Sequence, residues 1–213
     1  IVERALIDTH LTASSRQDRA VFQLATRLGR FRVQLPSGVD PRSLVVEVDG
    51  QSVALESLQR REATIPLPPD ARGRHLVELR YRFVDRAPRG SLQLAAPRLP
   101  AVAWVEQVYW HLVLPDDEQV VFAPTQYSEE HAWTWTDGWW RWQPTRDRRG
   151  LQDWITAGYD GEARSAGWRI SRPRGQPGST ARNRFLFSTV GSIEPLAPYT
   201  MGRAQLVLLA SLP

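Results

Sequence analysis

The residues able to do chemistry are few and poorly spaced for it. Four histidines occur, His10, His75, His111 and His131, and none stands three or four residues from another, so no His-x-x-x-His metal pair exists. Glu129-Glu130-His131 places three ligand types side by side, but neighbours on a strand point to opposite faces and do not converge on one ion. Asp116-Asp117-Glu118 follows Leu114-Pro115 and reads as a turn, without the spaced oxygen ligands of a calcium loop. There is no Gly-x-Ser-x-Gly elbow and no glycine-rich phosphate loop. With no cysteine, a thiol nucleophile, a disulfide framework and a Cys-zinc site are all excluded. Asp137, Asp147, Asp153, Asp160 and Glu162 are carboxylates of the type that glycoside hydrolysis uses in pairs, but such pairing is a matter of tertiary distance. The expectation is a non-enzymatic chain with no catalytic residues, no metal and no cofactor.

The most informative stretch is Trp133-Thr134-Trp135-Thr136-Asp137-Gly138-Trp139-Trp140-Arg141-Trp142. Asp-Gly favours the two central positions of a tight hairpin turn. With Asp137-Gly138 there, Trp135 faces Trp140, Trp133 faces Trp142 and Thr134 faces Arg141. Both Trp–Trp pairs then fall at non-hydrogen-bonded positions, where opposed side chains come closest. The pattern resembles designed tryptophan-zipper hairpins over these ten residues. Trp133, Trp135, Trp140, Trp142 and Arg141 are therefore the candidate binding residues. Three uses are open to the indole face: sandwich core, an exposed platform for a protein or a sugar ring, and a belt at a membrane interface with Arg141, Arg146, Arg148 and Arg149 beside it.

The elements that must position this hairpin read as β-strands. Phe31, Val33 and Leu35 alternate with polar residues before Pro36-Ser37-Gly38. Val77, Leu79, Tyr81 and Phe83 alternate with Glu78, Arg80 and Arg82, as on a strand with one wet face. Leu44–Val48 and Gln51–Leu55 flank Asp49-Gly50, a second hairpin signal. Ser57–Glu62 reads as a single helical turn, helix being scarce elsewhere, and Ser171–Asn183 as a mobile surface loop. Residues 87–100 are proline-punctuated, and tryptophan appears only after them, from Trp104 onward. The expected organisation is two units in tandem, an aliphatic one over 1–88 and a Trp-rich one over 100–213, joined by a linker at 89–99; one continuous large sandwich is the alternative. The fold class is all-β, of immunoglobulin/fibronectin-like β-sandwich units.

The charge pattern excludes more than it assigns. Net charge is +4, and every one of the 27 basic residues is arginine, with a single asparagine, Asn183, and a single methionine, Met201. A GC-rich coding bias produces this composition without functional selection, so nucleic acid is not expected as a partner. No run approaches the ~20 apolar residues of a membrane helix. The chain begins at Ile1 with no signal segment after it, and reads as part of a longer protein. Its strands, Leu-Pro stops and Val-Asp-Gly hairpin, mainly over residues 30–85, resemble the extracytoplasmic β-sandwich segments of large membrane-anchored bacterial proteins. That resemblance implies an extracytoplasmic module, periplasmic or at the cell surface, whose membrane anchor lies outside this chain. Its partner would be another protein or other domains of the parent chain, with a glycan bound by the Trp hairpin as the alternative.

Overall fold

In the computed structural model, residues 1–69, 73–86, 88–99, 104–136, 139–159, 183–202, 204, 205 and 208 are described. The first half holds β1 (Val2–Leu11), β2 (Arg16–Ala25), β3 (Arg30–Gln34), β4 (Val45–Val48), β5 (Gln51–Ser52), β6 (Ser57–Gln59), β7 (Glu62–Pro66) and β8 (Arg74–Arg82). The second half holds β9 (Val105–Leu114), β10 (Glu118–Phe122), β11 (Ser128–Glu129), β12 (His131–Thr136), β13 (Trp139–Pro144), the helix α1 (Arg148–Thr156), β14 (Asn183–Gly191) and β15 (Tyr199–Gly202). The all-β class stands.

One eight-stranded sheet, in the order β11-β14-β9-β1-β2-β8-β4-β5, organises the chain. Neighbours are antiparallel except at its centre, where β1 runs parallel to β9 with Ile7 opposite Trp110 and Asp8 opposite His111. Strict alternation sends Ala5, Ile7, Ala20, Phe22, Val77, Leu79, Val108, Trp110, Leu112, Phe185 and Phe187 to one face. The three-stranded sheet β3-β7-β6 adds Val33, Ala63 and Ile65 to this same main core. On the opposite face Leu6, Val21, Leu76, Tyr109 and Leu186 receive Leu151, Ile155 and Tyr159 from α1 and the turn that follows it.

The expected division at residues 89–99 is not what the strands do. The central sheet joins residues 2–11 to residues 105–114, and the supposed linker is core: Leu92 and Leu94 are fully buried and Ala96 nearly so. Bridges tie Ser91 to Tyr199, Leu94 to Leu196, and Arg98 to Gln34. The prolines of this segment mark extended backbone outside a regular ladder, and Leu92, Leu94 and Ala96 keep a period of two between them.

Three local expectations also need correction. Ser57–Glu62 is a hairpin, not a helical turn. Gln59 pairs with Glu62, and Arg60 and Arg61 form the two-residue turn with φ of 49° and 72°. That turn type requires positive φ at both centres, which Asn and Gly adopt most easily and two arginines adopt under strain. Asp49-Gly50 fills the expected turn, with φ of 54° and 81°. The reading of β8 as having one wet face fails at Glu78, only 2 % exposed, and holds at Arg82. Finally, α1 lies where no helix was expected. Asp147 caps it by accepting from Gly150 N–H at 2.8 Å, and Leu151, Trp154 and Ile155 face the sheet at helical spacing. Its last carbonyls are taken by the sheet: Arg4 donates to Trp154 and Ala157, and Gln23 to Ala157. Of the Ser171–Asn183 loop, only Asn183 lies within the described residues; its amide closes the turn after β9 on the carbonyls of Pro115, Asp116 and Glu118.

Because β1 takes its central neighbour from the second half, residues 1–88 expressed alone are expected not to fold. A dispersed amide NMR spectrum from that piece would restore the two-unit division.

Candidate functional site

The tryptophan hairpin has the expected register. Trp133 opposes Trp142, Thr134 opposes Arg141, Trp135 opposes Trp140 and Thr136 opposes Trp139. The side chains of Trp140, Arg141 and Trp142, and both Asp137 and Gly138, lie outside the described residues, so the positive-φ expectation for Gly138 does too. β12 and β13 form their own two-stranded sheet. Trp133 is 66 % exposed and Trp135 61 %, so these two indoles are not sandwich core. Two residues apart on one strand, they occupy one face of the ribbon about 7 Å apart.

The ribbon is fastened at its base. Glu130 N–H donates to Leu186 C=O at 2.9 Å, and Thr145 N–H donates to Glu130 C=O at 2.9 Å. Ser188 donates to the Glu130 carboxylate at 2.7 Å. His131, the first residue of β12, accepts the Leu186 N–H on Nε2 at 3.2 Å, its ring between Phe185 and Phe187. Glu130 and His131 therefore anchor the hairpin to β14. The arginines near the hairpin disperse: Arg146 lies over the Tyr109 ring, 5.7 Å from its centroid, and Arg148 opens α1. Asp116-Asp117-Glu118 likewise ends in structural bonds, because Glu118 is fully buried and accepts from Thr200 at 2.7 Å and from Arg86.

Sequence reasoning missed a second region, on the face that carries α1. A row of charges crosses β9, β1, β2, β8 and β4. His111 Nδ1 meets Asp8 Oδ1 at 2.6 Å, and Arg19 donates to Asp8 Oδ2 at 3.4 Å. Arg19 grips Glu78 with two bonds of 2.6 and 2.8 Å, Arg80 reaches the same carboxylate at 2.7 Å, and Arg80 also holds Glu47. Arg19 and Arg80 stand directly opposite each other, as do Glu47 and Glu78. Like charges so placed repel, and the diagonal pairing resolves both conflicts. Burial pushes the carboxylates of Asp8 and Glu78 upward, but His111, and above all Arg19, outweigh it and hold Asp8 and Glu78, respectively, below the usual range. Beyond the row lies a pocket of about 840 Å³, lined by His10, Gln17, Arg42, Val45, Arg82 and Arg148 among others. The available signal was Asp8, Glu78 and His111 each interrupting an apolar run.

No family model matches the chain, and no curated protein matches it. Among solved structures it is similar to the M1 zinc metallopeptidase from Deinococcus radiodurans, at 10% identity and a TM-score of 0.46, over 93% of this chain and 41% of that one. It is also similar to yeast LTA4 hydrolase in complex with bestatin, at 10% identity and a TM-score of 0.38, over 66% of this chain and 25% of that one. The chain thus spans less than half the length of either structure.

Two outcomes follow from this geometry. Glu78→Gln leaves the buried Arg19 guanidinium, and the half-buried Arg80 beside it, short of their shared carboxylate and is expected to cost about 3–5 kcal/mol, read from urea unfolding. His131 accepts a backbone proton, and burial pushes its pKa below the ordinary 6.5 against the opposing pull of Glu130 and the Arg184 backbone. The unfolded chain therefore takes up the proton first, and stability is lost as pH falls from about 6.5 through the folded-state value. A histidine NMR titration should place His131 below 6.5, and a midpoint above it would refute the assignment.

Proposed function

We propose that this chain is a non-enzymatic, extracytoplasmic interaction module of a larger membrane-anchored protein, and that the tryptophan hairpin is its contact surface for a partner protein. The observation that carries the reading is the exposure of Trp133 and Trp135 on a ribbon fastened to the sheet through Glu130, His131 and Thr145. Exposed indoles on a rigid scaffold are the residues that dominate protein–protein contacts, since they bury large area at little cost in side-chain entropy. The histidines support the non-enzymatic part. His75 is bonded to Asp49 at 2.8 Å, His111 to Asp8, and His131 to the Leu186 backbone, so each is engaged in holding strands together. The likeness to extracytoplasmic β-sandwich segments supports placement outside the cytoplasm. Among the described residues no helix is long and apolar enough to cross a membrane.

The same two indoles favour a second reading, stacking on sugar rings, as an aromatic platform would. A two-stranded ribbon fits a protein surface better than it fits a single glycan chain, which binds in a groove. The double variant Trp133→Ala/Trp135→Ala separates these readings. Its stability should change by less than about 1 kcal/mol, as at other exposed positions. Protein captured by the wild-type chain from the envelope fraction of its own cells should be lost with the variant. Loss of several kcal/mol would return the indoles to the core, and retardation of the wild-type chain alone in polysaccharide gels would favour the glycan.

A further inference from the structure

We propose, beyond the hairpin reading, that the pocket at the open end of the α1 face binds an oxyanion-bearing small molecule, its phosphate, sulfate or carboxylate group held by Arg42 and Arg82. The case begins with which charges around the pocket are already used. Arg19 and Arg80, in its wall, are neutralised by Glu78, Glu47 and Asp8. Asp18 is bound through both oxygens by Arg16, and Asp40 accepts from the Arg42 N–H to cap its own turn. Each lining carboxylate is thus engaged. Arg42 and Arg82 are both exposed, and among the described residues neither guanidinium has an ion-pair partner. Arg42 and Arg82 thus border one cavity with guanidinium donors that no carboxylate of its lining occupies, and these donors are open to an oxyanion.

The backbone holds these two arginines together before any ligand arrives. Arg82 C=O accepts from Asp40 N–H at 2.8 Å, and Arg82 N–H donates to Ser43 Oγ at 2.8 Å. Arg42 sits inside the 3-10 turn Pro41–Ser43 that these bonds clamp onto β8. The turn is closed by Ser43 donating twice to Asp40 C=O, from N–H at 3.0 Å and from Oγ at 2.7 Å. Guanidinium forks suit planar or tetrahedral oxyanions, which they bind through paired N–H bonds. The cavity of about 840 Å³ has room for more than a bare ion, and Gln17 and Val45 offer an amide and an apolar wall to an organic body.

The test is thermal unfolding and calorimetric titration of the full chain with phosphate, sulfate and citrate, each compared with chloride at equal ionic strength. A saturable rise in Tm with at least one oxyanion is expected. Arg42→Ala and Arg82→Ala should each weaken that binding about tenfold or more, while Arg149→Ala, outside the pocket, leaves it unchanged. The clamp uses backbone atoms of Arg82, so these variants should fold, which circular dichroism checks; Arg82→Lys, retaining charge without the fork, should fall between. Preference for phosphate over citrate names a phosphorylated ligand, and the reverse a carboxylate. A response that tracks ionic strength alone, or one equal in wild type and Arg42→Ala/Arg82→Ala, overturns the proposal.

Discussion

Glu78 is shared by two arginines from two strands, and much of the molecule is arranged around that carboxylate. A buried guanidinium without a partner costs several kcal/mol, and Glu78 supplies the two shortest bonds that Arg19 makes while also meeting the half-buried Arg80. A shift of one residue on β2 or β8 would send one of these groups to the opposite face, among Phe22, Leu79 and Tyr81. Apolar alternation sets which face is which, and the charge row adds a second condition on register across five strands. The same row divides the helix-bearing face. On one side α1 covers Leu6, Val21 and Leu76, and on the other the charges keep the surface wet and leave a cavity.

The α1 side shows how sheet and helix depend on one another. Trp154 packs edge-on against Tyr109 with ring centroids 4.7 Å apart, and its indole N–H reaches Gln107 at 3.2 Å. Arg4 lies over the Trp154 ring and caps the carbonyls at the helix end, where a cation also complements the helix dipole. A helix of nine residues is too short to be stable alone, and these contacts supply what length does not.

Features encoded by neighbouring residues were legible in the sequence. Period-two alternation marked β3 and β8, Asp49-Gly50 marked the turn after β4, and the Trp-Thr alternation around Asp137-Gly138 implied the register that β12 and β13 adopt. Features that depend on remote partners were not. Nothing local to Ile7 names Trp110 as its neighbour, so the parallel pairing that unites the two halves was hidden. Proline content masked the alternation of Leu92, Leu94 and Ala96, because the same residues that end ladders also stiffen extended core segments. Glu78 looked like a solvent-facing position because charge usually means water, and only its tertiary partners make burial tolerable. The hairpin's role escaped for a similar reason, since whether four tryptophans line a core or face outward depends on what lies above them.

The parallel pairing of β1 with β9 also bears on the order of events during synthesis. At roughly 5–20 residues per second, the ribosome needs several seconds to make the ~100 residues that separate the two strands. Through that interval β1 pairs with β2 on one side and has its other edge, apolar Ala5 and Ile7 included, without its native neighbour. β9 in turn waits for β14, which begins only at Asn183. The nascent chain thus carries an open, hydrophobic sheet edge until β14 has been made, a template on which a second nascent chain can add a strand. Fast production would shorten the spacing between such chains, so aggregation is expected to rise with expression rate more steeply than the stability of the finished fold would suggest.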